Sequence, residues 1–170
     1  MNRTLLPIAA ASLAVALHAQ TANPLVAETK PAYTAIKNNL LKAADKMPEE
    51  SYSFKPTPDV QSFGERVAHV AGMIGVCSSL TGERKPSPAA GKTSKADLVA
   101  AIKASFDACD TAWDAMNDKT SMEMVAGRGG AQRSKLSMLI GNTVHLNEVY
   151  GTMTVYMRLK GIVPPSSEGR

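Results

Sequence analysis

The chain has 170 residues, a formal net charge of +4 and an aromatic content of only 5%. This length suits a single domain with a complete hydrophobic core. Lysine and arginine are scattered among acidic residues instead of forming a basic patch, and few aromatic side chains are present to stack on bases. The composition therefore excludes a nucleic-acid-binding protein, and its many Ala, Leu, Met and Lys residues favour helices over strands.

Residues 1–19 have the pattern of a signal peptide. Arg3 supplies a positive charge, residues 5–17 form a short apolar segment, and the small residue Ala19 precedes the expected cleavage point. The apolar segment is too short to span a membrane comfortably, and no later segment could span one. We therefore predict an exported protein, periplasmic or secreted, without stable membrane insertion, in which residues 20–30 form an N-terminal extension.

The two cysteines, Cys77 and Cys109, form an even pair in a chain that is expected to mature in an oxidising compartment. Such a pair suggests a disulfide, and two buried free thiols are the alternative. The pair lacks the C-x-x-C spacing of a redox-active site. We predict a structural disulfide between Cys77 and Cys109.

Two amphipathic helices are predicted in the first half of the chain. The first begins near Pro31, because proline suits the first helical position, and it ends before Pro48. The second begins at Ser62 and ends at Gly82. Ser62 and Glu65 have the spacing of a capping box, in which each residue satisfies a backbone donor at the helix start.

Two further helices are predicted in the second half. The third begins at Ser94, and the fourth runs from about Ser134 to Lys160. Residues 117–133 between them contain GRGG and are predicted to be a flexible loop. No Gly-Lys-Ser or Gly-Lys-Thr follows these glycines, so a phosphate-binding P-loop is not expected. The four helices predict an all-α four-helix bundle over residues 31–170.

The positions of the cysteines and histidines predict how the helices are connected. Cys77 and Cys109 each lie 15 residues after the expected start of their helix, so they share one height only if the second and third helices are parallel. The connection at residues 81–93 can span about 43 Å, which is enough for a crossover along the bundle. An antiparallel fourth helix then brings His145 to the level of His69. These relations predict up-down-down-up connectivity.

Two segments of the chain are distinctive as a set: ADKMPEESYSFKPTPDVQSFGERVAHVAG at residues 44–72 and EVYGTMTVYMRLKGIVPPSSE at residues 148–168. Both resemble the DinB-like family, also described as DinB/YfiT-like metalloenzymes. Together with the helix pattern, the similarity covers most of residues 30–168. The resemblance implies a four-helix bundle with the same crossover, and it implies a homodimer because many family members are dimers.

The resemblance also implies a divalent-metal site, with zinc or nickel as the expected ion. Family members commonly hold the ion with three histidines, one on the second helix and two, four residues apart, on the fourth. His69 and His145 match two of these positions, and Val149 stands at the third. Glu148 is a possible substitute ligand because it lies near the same helix face as His145. Glu65, one turn before His69, is a second candidate carboxylate.

Three functions remain open from the sequence. The first is an exported DinB-like protein with an altered metal site or a small-ligand site between its helices. The second is a metal-dependent enzyme that resembles the thiol S-transferases and isomerases of the family, in which the metal would lower the pKa of a thiol. The third is a dimeric structural or interaction module without a metal. The sequence assigns no catalytic residue, so the choice between an enzyme and a binding protein stays open.

The end of the fourth helix has three residues that could belong to a site. Tyr150, Tyr156 and Arg158 could line the mouth of a pocket, but we expect Tyr156 to pack and Arg158 to be solvated. Trp113 lies on the apolar face of the third helix, and we expect it in the core.

Overall fold

The structure is a computed structural model that describes residues 24–169. It is mostly helical, with one short hairpin in this range. The helices are α1 (Pro24–Lys46), α2 (Phe63–Ala71), α3 (Ile74–Thr81), α4 (Lys95–Asp114), α5 (Asp118–Ser121) and α6 (Lys135–Leu159), and the strands are β1 (Met124–Ala126) and β2 (Gln132–Ser134). The signal peptide predicted for residues 1–19 lies outside the described residues. Between residues 24 and 169, no helix is both long and apolar enough to cross a membrane.

Helix α1 begins earlier than the sequence predicted. Its range includes Pro31, which therefore lies inside the helix and not at its start. Proline is common in the first turn of a helix, which is why the pattern favoured that start. An internal proline removes one backbone hydrogen bond, but the helix continues because its later turns are anchored by buried side chains. These are Tyr33, Ile36, Leu40, Ala43 and Ala44.

The predicted second helix is divided into α2 and α3. Around Gly72 the backbone hydrogen bonds span three residues instead of four: the N–H of Met73 bonds to the carbonyl of Val70, and the N–H of Val76 bonds to the carbonyl of Met73. Glycine weakens a helix because its backbone has more freedom to lose, and this accounts for the position of the break. The break leaves His69 in the last turn of α2.

The all-α prediction missed a hairpin between α5 and α6. Residues 117–133, predicted as a flexible loop, contain α5, β1 and most of β2, and the strands pair antiparallel with Val125 opposite Arg133. Gly129 and Gly130 form the turn with φ values of 70° and 79°, a conformation that costs glycine little. Each strand has three residues, which is too few to show an alternation of apolar and polar side chains.

The helices enclose one hydrophobic core. Helix α1 packs against α6, while α2 and α3 pack against α4. Trp113 is 1% exposed, and its ring stacks on that of Tyr33 with centroids 5.5 Å apart, so its expected core position is confirmed. The predicted disulfide between Cys77 and Cys109 is present, and it joins α3 to α4 with the two Cα atoms 4.8 Å apart.

The segment before α2 lies close against the first turn of that helix. The N–H of Gly64 donates to the carbonyl of Tyr52 at 2.8 Å, and a Cβ on Gly64 would lie only 3.1 Å from the same oxygen. Tyr52 in turn donates its hydroxyl to the carbonyl of Ala44 at 2.6 Å. A Cβ on Gly64 would also lie 3.4 Å from Leu98 in the first turn of α4. The start of α2 therefore lies beside the start of α4. Further along, the disulfide joins α3, which continues from α2, to α4.

Candidate functional site

Local hydrogen bonds fix the start of the helix that carries His69. The hydroxyl of Ser62 accepts from the N–H of Glu65 at 3.2 Å, and the N–H of Ser62 donates to the Glu65 carboxylate at 2.6 Å. This is the predicted capping box. The bond from the Ser62 backbone is the main reason that the pKa of Glu65 is lowered, and Lys55 at 3.5 Å adds to the effect. Glu65 is therefore already engaged at the helix start.

Helix α6 presents His145 to α2. The phenol of Tyr156 donates to the carbonyl of Gln61 at 2.8 Å, just before α2 begins. His145 precedes Tyr156 on α6, and it contacts His69, which follows Gln61. These two contacts show that α2 and α6 run in opposite directions. They also confirm that the two histidines lie at the same level.

The two imidazoles form a direct hydrogen bond. The Nε2 atom of His69 lies 2.8 Å from the Nε2 atom of His145, and the ring planes are inclined by 78°. One nitrogen must carry the proton and the other must accept it. The Nδ1 atom of His145 lies 3.2 Å from the carboxylate of Glu148, which only accepts when ionised, so we assign the proton of a neutral His145 to Nδ1. His69 is then the donor within the pair.

The surroundings of His69 favour its neutral form. Its pKa is lowered first by burial, then by the neighbouring His145 and by the positive charge of Arg66. The neutral ring keeps an unprotonated Nδ1, and hydrogen bonds link Glu148 through His145 to His69. Such a series of hydrogen-bonded groups can bind a polar ligand and move a proton to or from it.

The residues around the pair do not fit a metal site with three protein ligands. Val149, where the family resemblance implies the third ligand, is 3% exposed and belongs to the core. Glu148 contacts Nδ1 of His145, the ring atom that does not face His69. Within residues 24–169 there is no group of three His, Cys, Asp or Glu side chains that could hold an ion. A catalytic zinc usually has three protein ligands and one open position.

The distance between the two nitrogens also suits a hydrogen bond better than a shared ion. Two nitrogens bound to one tetrahedral zinc, each at about 2.0–2.1 Å, lie roughly 3.3 Å apart. The observed distance of 2.8 Å is therefore shorter by about half an ångström. His69 would also have to give up its Nε2 proton before it could bind an ion. The pair needs both changes before it can hold a metal.

Two residues beside the pair were not singled out from the sequence. The Nε atom of Arg66 and the Oδ1 atom of Asn142 are buried, and neither has a hydrogen-bond partner among residues 24–169. Arg66 precedes His69 by three residues, and Asn142 precedes His145 by three residues, so each lies on the histidine-bearing face of its helix. This spacing was the only sign in the sequence, and an isolated arginine or asparagine on a helix is usually exposed.

The residues considered for a pocket mouth have structural roles. Tyr150 and Tyr156 are buried, and the hydroxyl of Tyr150 accepts from the N–H of Ser166 at 3.0 Å. Arg158 is exposed and donates to the hydroxyl of Ser167. The expected packing of Tyr156 and solvation of Arg158 are therefore confirmed.

Known proteins place the chain in a family. A family model described as the DinB superfamily matches residues 32–153, a range that contains His69, His145 and both cysteines. The crystal structure of a DinB-like protein from Bacillus cereus ATCC 10987 is similar with a TM-score of 0.66 and 25% sequence identity, over 81% of this chain and 93% of that chain. No curated protein is significantly similar in sequence. The chain belongs to the DinB superfamily.

Proposed function

We propose that this chain is an exported small-molecule-binding protein whose site is the pair formed by His69 and His145. The observation that supports this most is the 2.8 Å contact between their Nε2 atoms. Two imidazole rings that hydrogen-bond to each other present a polar centre to a ligand, whereas two protein ligands alone hold a divalent ion weakly. Val149 at the third position supports a site in which the metal binding implied by the family resemblance is reduced.

Restoring the third histidine tests the proposal. We expect the wild-type chain to bind zinc and nickel weakly, and the variant Val149→His to bind one ion per chain much more tightly. The gain should exceed the roughly 10–100-fold that is lost when an outer partner of a metal site is removed. Competition with a chelating dye measures both affinities.

The double variant His145→Ala/Val149→His is the control, because it has two histidines in a different arrangement. It should lose the gain. Tight binding of one ion by the wild type would overturn the proposal. A variant Val149→His with no gain would also overturn it, because Val149 would then not stand at a ligand position.

A metal-dependent enzyme is the second candidate, and the contact between Glu148 and His145 favours it. Histidines that bind metals usually donate their other ring N–H to a carboxylate or carbonyl, as His145 does here. An ion would be held by the two histidines, with its remaining ligands from water or substrate. One zinc or nickel ion per wild-type chain, lost in His69→Ala, would favour this candidate over the first.

We also propose the up-down-down-up connectivity for the bundle. The proximity of Gly64 to Leu98, where a Cβ on Gly64 would lie 3.4 Å from the Leu98 side chain, and the disulfide further along support a parallel arrangement of α2–α3 and α4. The bond from Tyr156 to Gln61 supports an antiparallel α6. An experimental structure in which α2–α3 and α4 run in opposite directions would overturn this connectivity.

Export is supported by the disulfide, because disulfides persist chiefly in oxidising compartments. We expect the mature chain, isolated from the cells that make it, to have the mass that results from cleavage after Ala19. A full-length mass with reduced cysteines would contradict export.

A homodimer is supported by three exposed apolar side chains on one face of α6. Val144, Val155 and Leu159 are 64%, 53% and 59% exposed. Burying such a face against a second copy would remove apolar area from water. We expect sedimentation to show a dimer and Val155→Lys to sediment as a monomer. A monomeric wild type would contradict the dimer.

A further inference from the structure

The two unpartnered polar atoms lie on either side of the histidine pair. Because α2 and α6 are antiparallel, Arg66 lies about one turn from the pair toward Val149. Asn142 lies about one turn away in the other direction, where its Nδ2 atom is 3.6 Å from Sγ of Cys77. Buried polar atoms without partners are rare because they cost free energy. Two such atoms beside the contact between His69 and His145 indicate polar groups that are available to bind a ligand.

Arg66 determines the charge that the ligand should carry. Its guanidinium is positively charged at physiological pH. It has no hydrogen-bond or ion-pair partner among the described residues. The neighbouring carboxylates are engaged elsewhere, Glu65 at the helix cap and Glu148 at Nδ1 of His145. No carboxylate among residues 24–169 therefore pairs with the guanidinium of Arg66 in the contact region between α2 and α6.

A positive charge beside two histidines disfavours a second cation and favours an anion. We infer that the contact region between α2 and α6 binds the carboxylate or phosphate group of a small molecule, held by the guanidinium of Arg66 next to His69. The flat donor fork of arginine matches either group with two parallel hydrogen bonds. The inference rests on the proposed function, because it names the ligand class of the same site. The amide of Asn142 offers a hydrogen bond to the rest of that ligand.

A second basic region gives a matched control. A cleft of about 330 Å³ lies beside the start of α2, and Lys55, Glu65 and Lys92 are among its lining residues. Lys55 is paired with Glu65, whereas Lys92 has no acidic partner among the described residues. Lys92→Gln therefore removes one positive charge from a competing anion site and leaves the histidine pair intact.

Acetate and inorganic phosphate are the probes, each added to the purified chain at constant ionic strength. Circular dichroism follows the melting temperature, and nuclear magnetic resonance follows the imidazole signals of His69 and His145. We expect each probe to raise the melting temperature of the wild type and to shift the signals of both histidines. We expect Arg66→Gln to lose both responses, Arg66→Lys to bind about tenfold more weakly, and Lys92→Gln to respond like the wild type.

The variant Arg66→Gln should also melt at a higher temperature than the wild type when no anion is added, because it removes an unpaired charge. No response in the wild type, or equal responses in the wild type and Arg66→Gln, would overturn the inference. A response lost only in Lys92→Gln would also overturn it and assign the anion to the cleft.

One further result would overturn both the proposed function and the inference. If the anion needs Arg66 but leaves the signals of both histidines unchanged, the ligand does not reach the pair, and the proposed function and the inference both fail. The zinc affinity of Val149→His tests the pair without involving Arg66.

Discussion

Glu148 and His145 form a hydrogen bond on α6 in which the carboxylate lies 3.2 Å from Nδ1, while Nε2 of the same ring meets His69. The carboxylate therefore sets the tautomer of His145 and leaves its inner nitrogen as an acceptor. We expect the double variant Glu148→Gln/Val149→His to bind zinc about 10–100-fold more weakly than Val149→His. Competition with a chelating dye measures the difference. Equal affinities would show that Glu148 does not orient the ring.

Val149 fills core space beside the histidine pair, and a histidine at this position buries a polar ring. In the presence of a chelator, we expect Val149→His to have a free energy of unfolding about 1–3 kcal/mol lower than the wild type. Zinc at about 100 times its dissociation constant should then return about 2.7 kcal/mol. Urea unfolding with and without zinc measures both effects. The control Val149→Ala should be destabilised without any recovery, and recovery there would mean that zinc acts elsewhere.

The lowered pKa of His69 makes stability depend on pH. Between the pKa of the folded state and the usual value of about 6.5, the unfolded chain binds more protons than the folded chain. The contribution of His69 is therefore fully present above about pH 6.5 and is lost as the pH falls through the folded-state pKa. Urea midpoints at about pH 7.5 and about pH 5.5 should show this loss. His69→Gln should flatten the dependence, and an equal slope in both proteins would exclude His69 as its cause.

The disulfide between Cys77 and Cys109 closes a loop with a sequence separation of 32 residues. A cross-link over a loop of this length restricts the unfolded chain, and we expect it to contribute about 3–4 kcal/mol. The double variant Cys77→Ala/Cys109→Ala should lose this amount in urea unfolding. A reductant should destabilise the wild type and leave the double variant unchanged. If both proteins unfold at the same urea concentration, the cross-link is not formed in solution.

Two helical glycines should respond to alanine in opposite ways. A Cβ on Gly64 would lie 3.1 Å from the carbonyl of Tyr52, whereas a Cβ on Gly151 would have no atom within 4 Å outside its own helix. We expect Gly64→Ala to be destabilised by about 1–3 kcal/mol through overpacking. Gly151→Ala should be stabilised by about 0.5–1 kcal/mol because alanine loses less backbone freedom. Chemical unfolding of the two variants checks the signs, and a stabilised Gly64→Ala would show that Tyr52 can move away.

The common level of His69 and His145 was predictable from the sequence for a geometric reason. Helices rise by a constant distance per residue, and Ser62 and Ser134 mark the helix starts from which the count begins. The same count placed Cys77 beside Cys109. Positions along a long helix therefore follow from its caps and its apolar period.

The rest of the site depends on which way side chains point and which partners they find. Glu148 was a candidate metal ligand from its spacing alone, but its carboxylate meets the Nδ1 edge of His145. The missing partner of Arg66 is visible only once every neighbouring carboxylate has been placed. The sequence pattern did not predict the break at Gly72 or the hairpin before α6. Segments this short show no clear periodicity of apolar and polar side chains.

A long-range proton–nitrogen correlation spectrum of the imidazole rings in the wild-type chain tests most directly whether His69 and His145 form a hydrogen bond or a metal site. It is recorded with a chelator and again with free zinc buffered at about 10 nM, a level that loads sites with the affinity of structural zinc. We predict one protonated and one unprotonated Nε2 in the His69–His145 pair, with both signals unchanged by zinc. Movement of both Nε2 signals to metal-bound positions at this zinc level would contradict the account and identify the pair as a metal site.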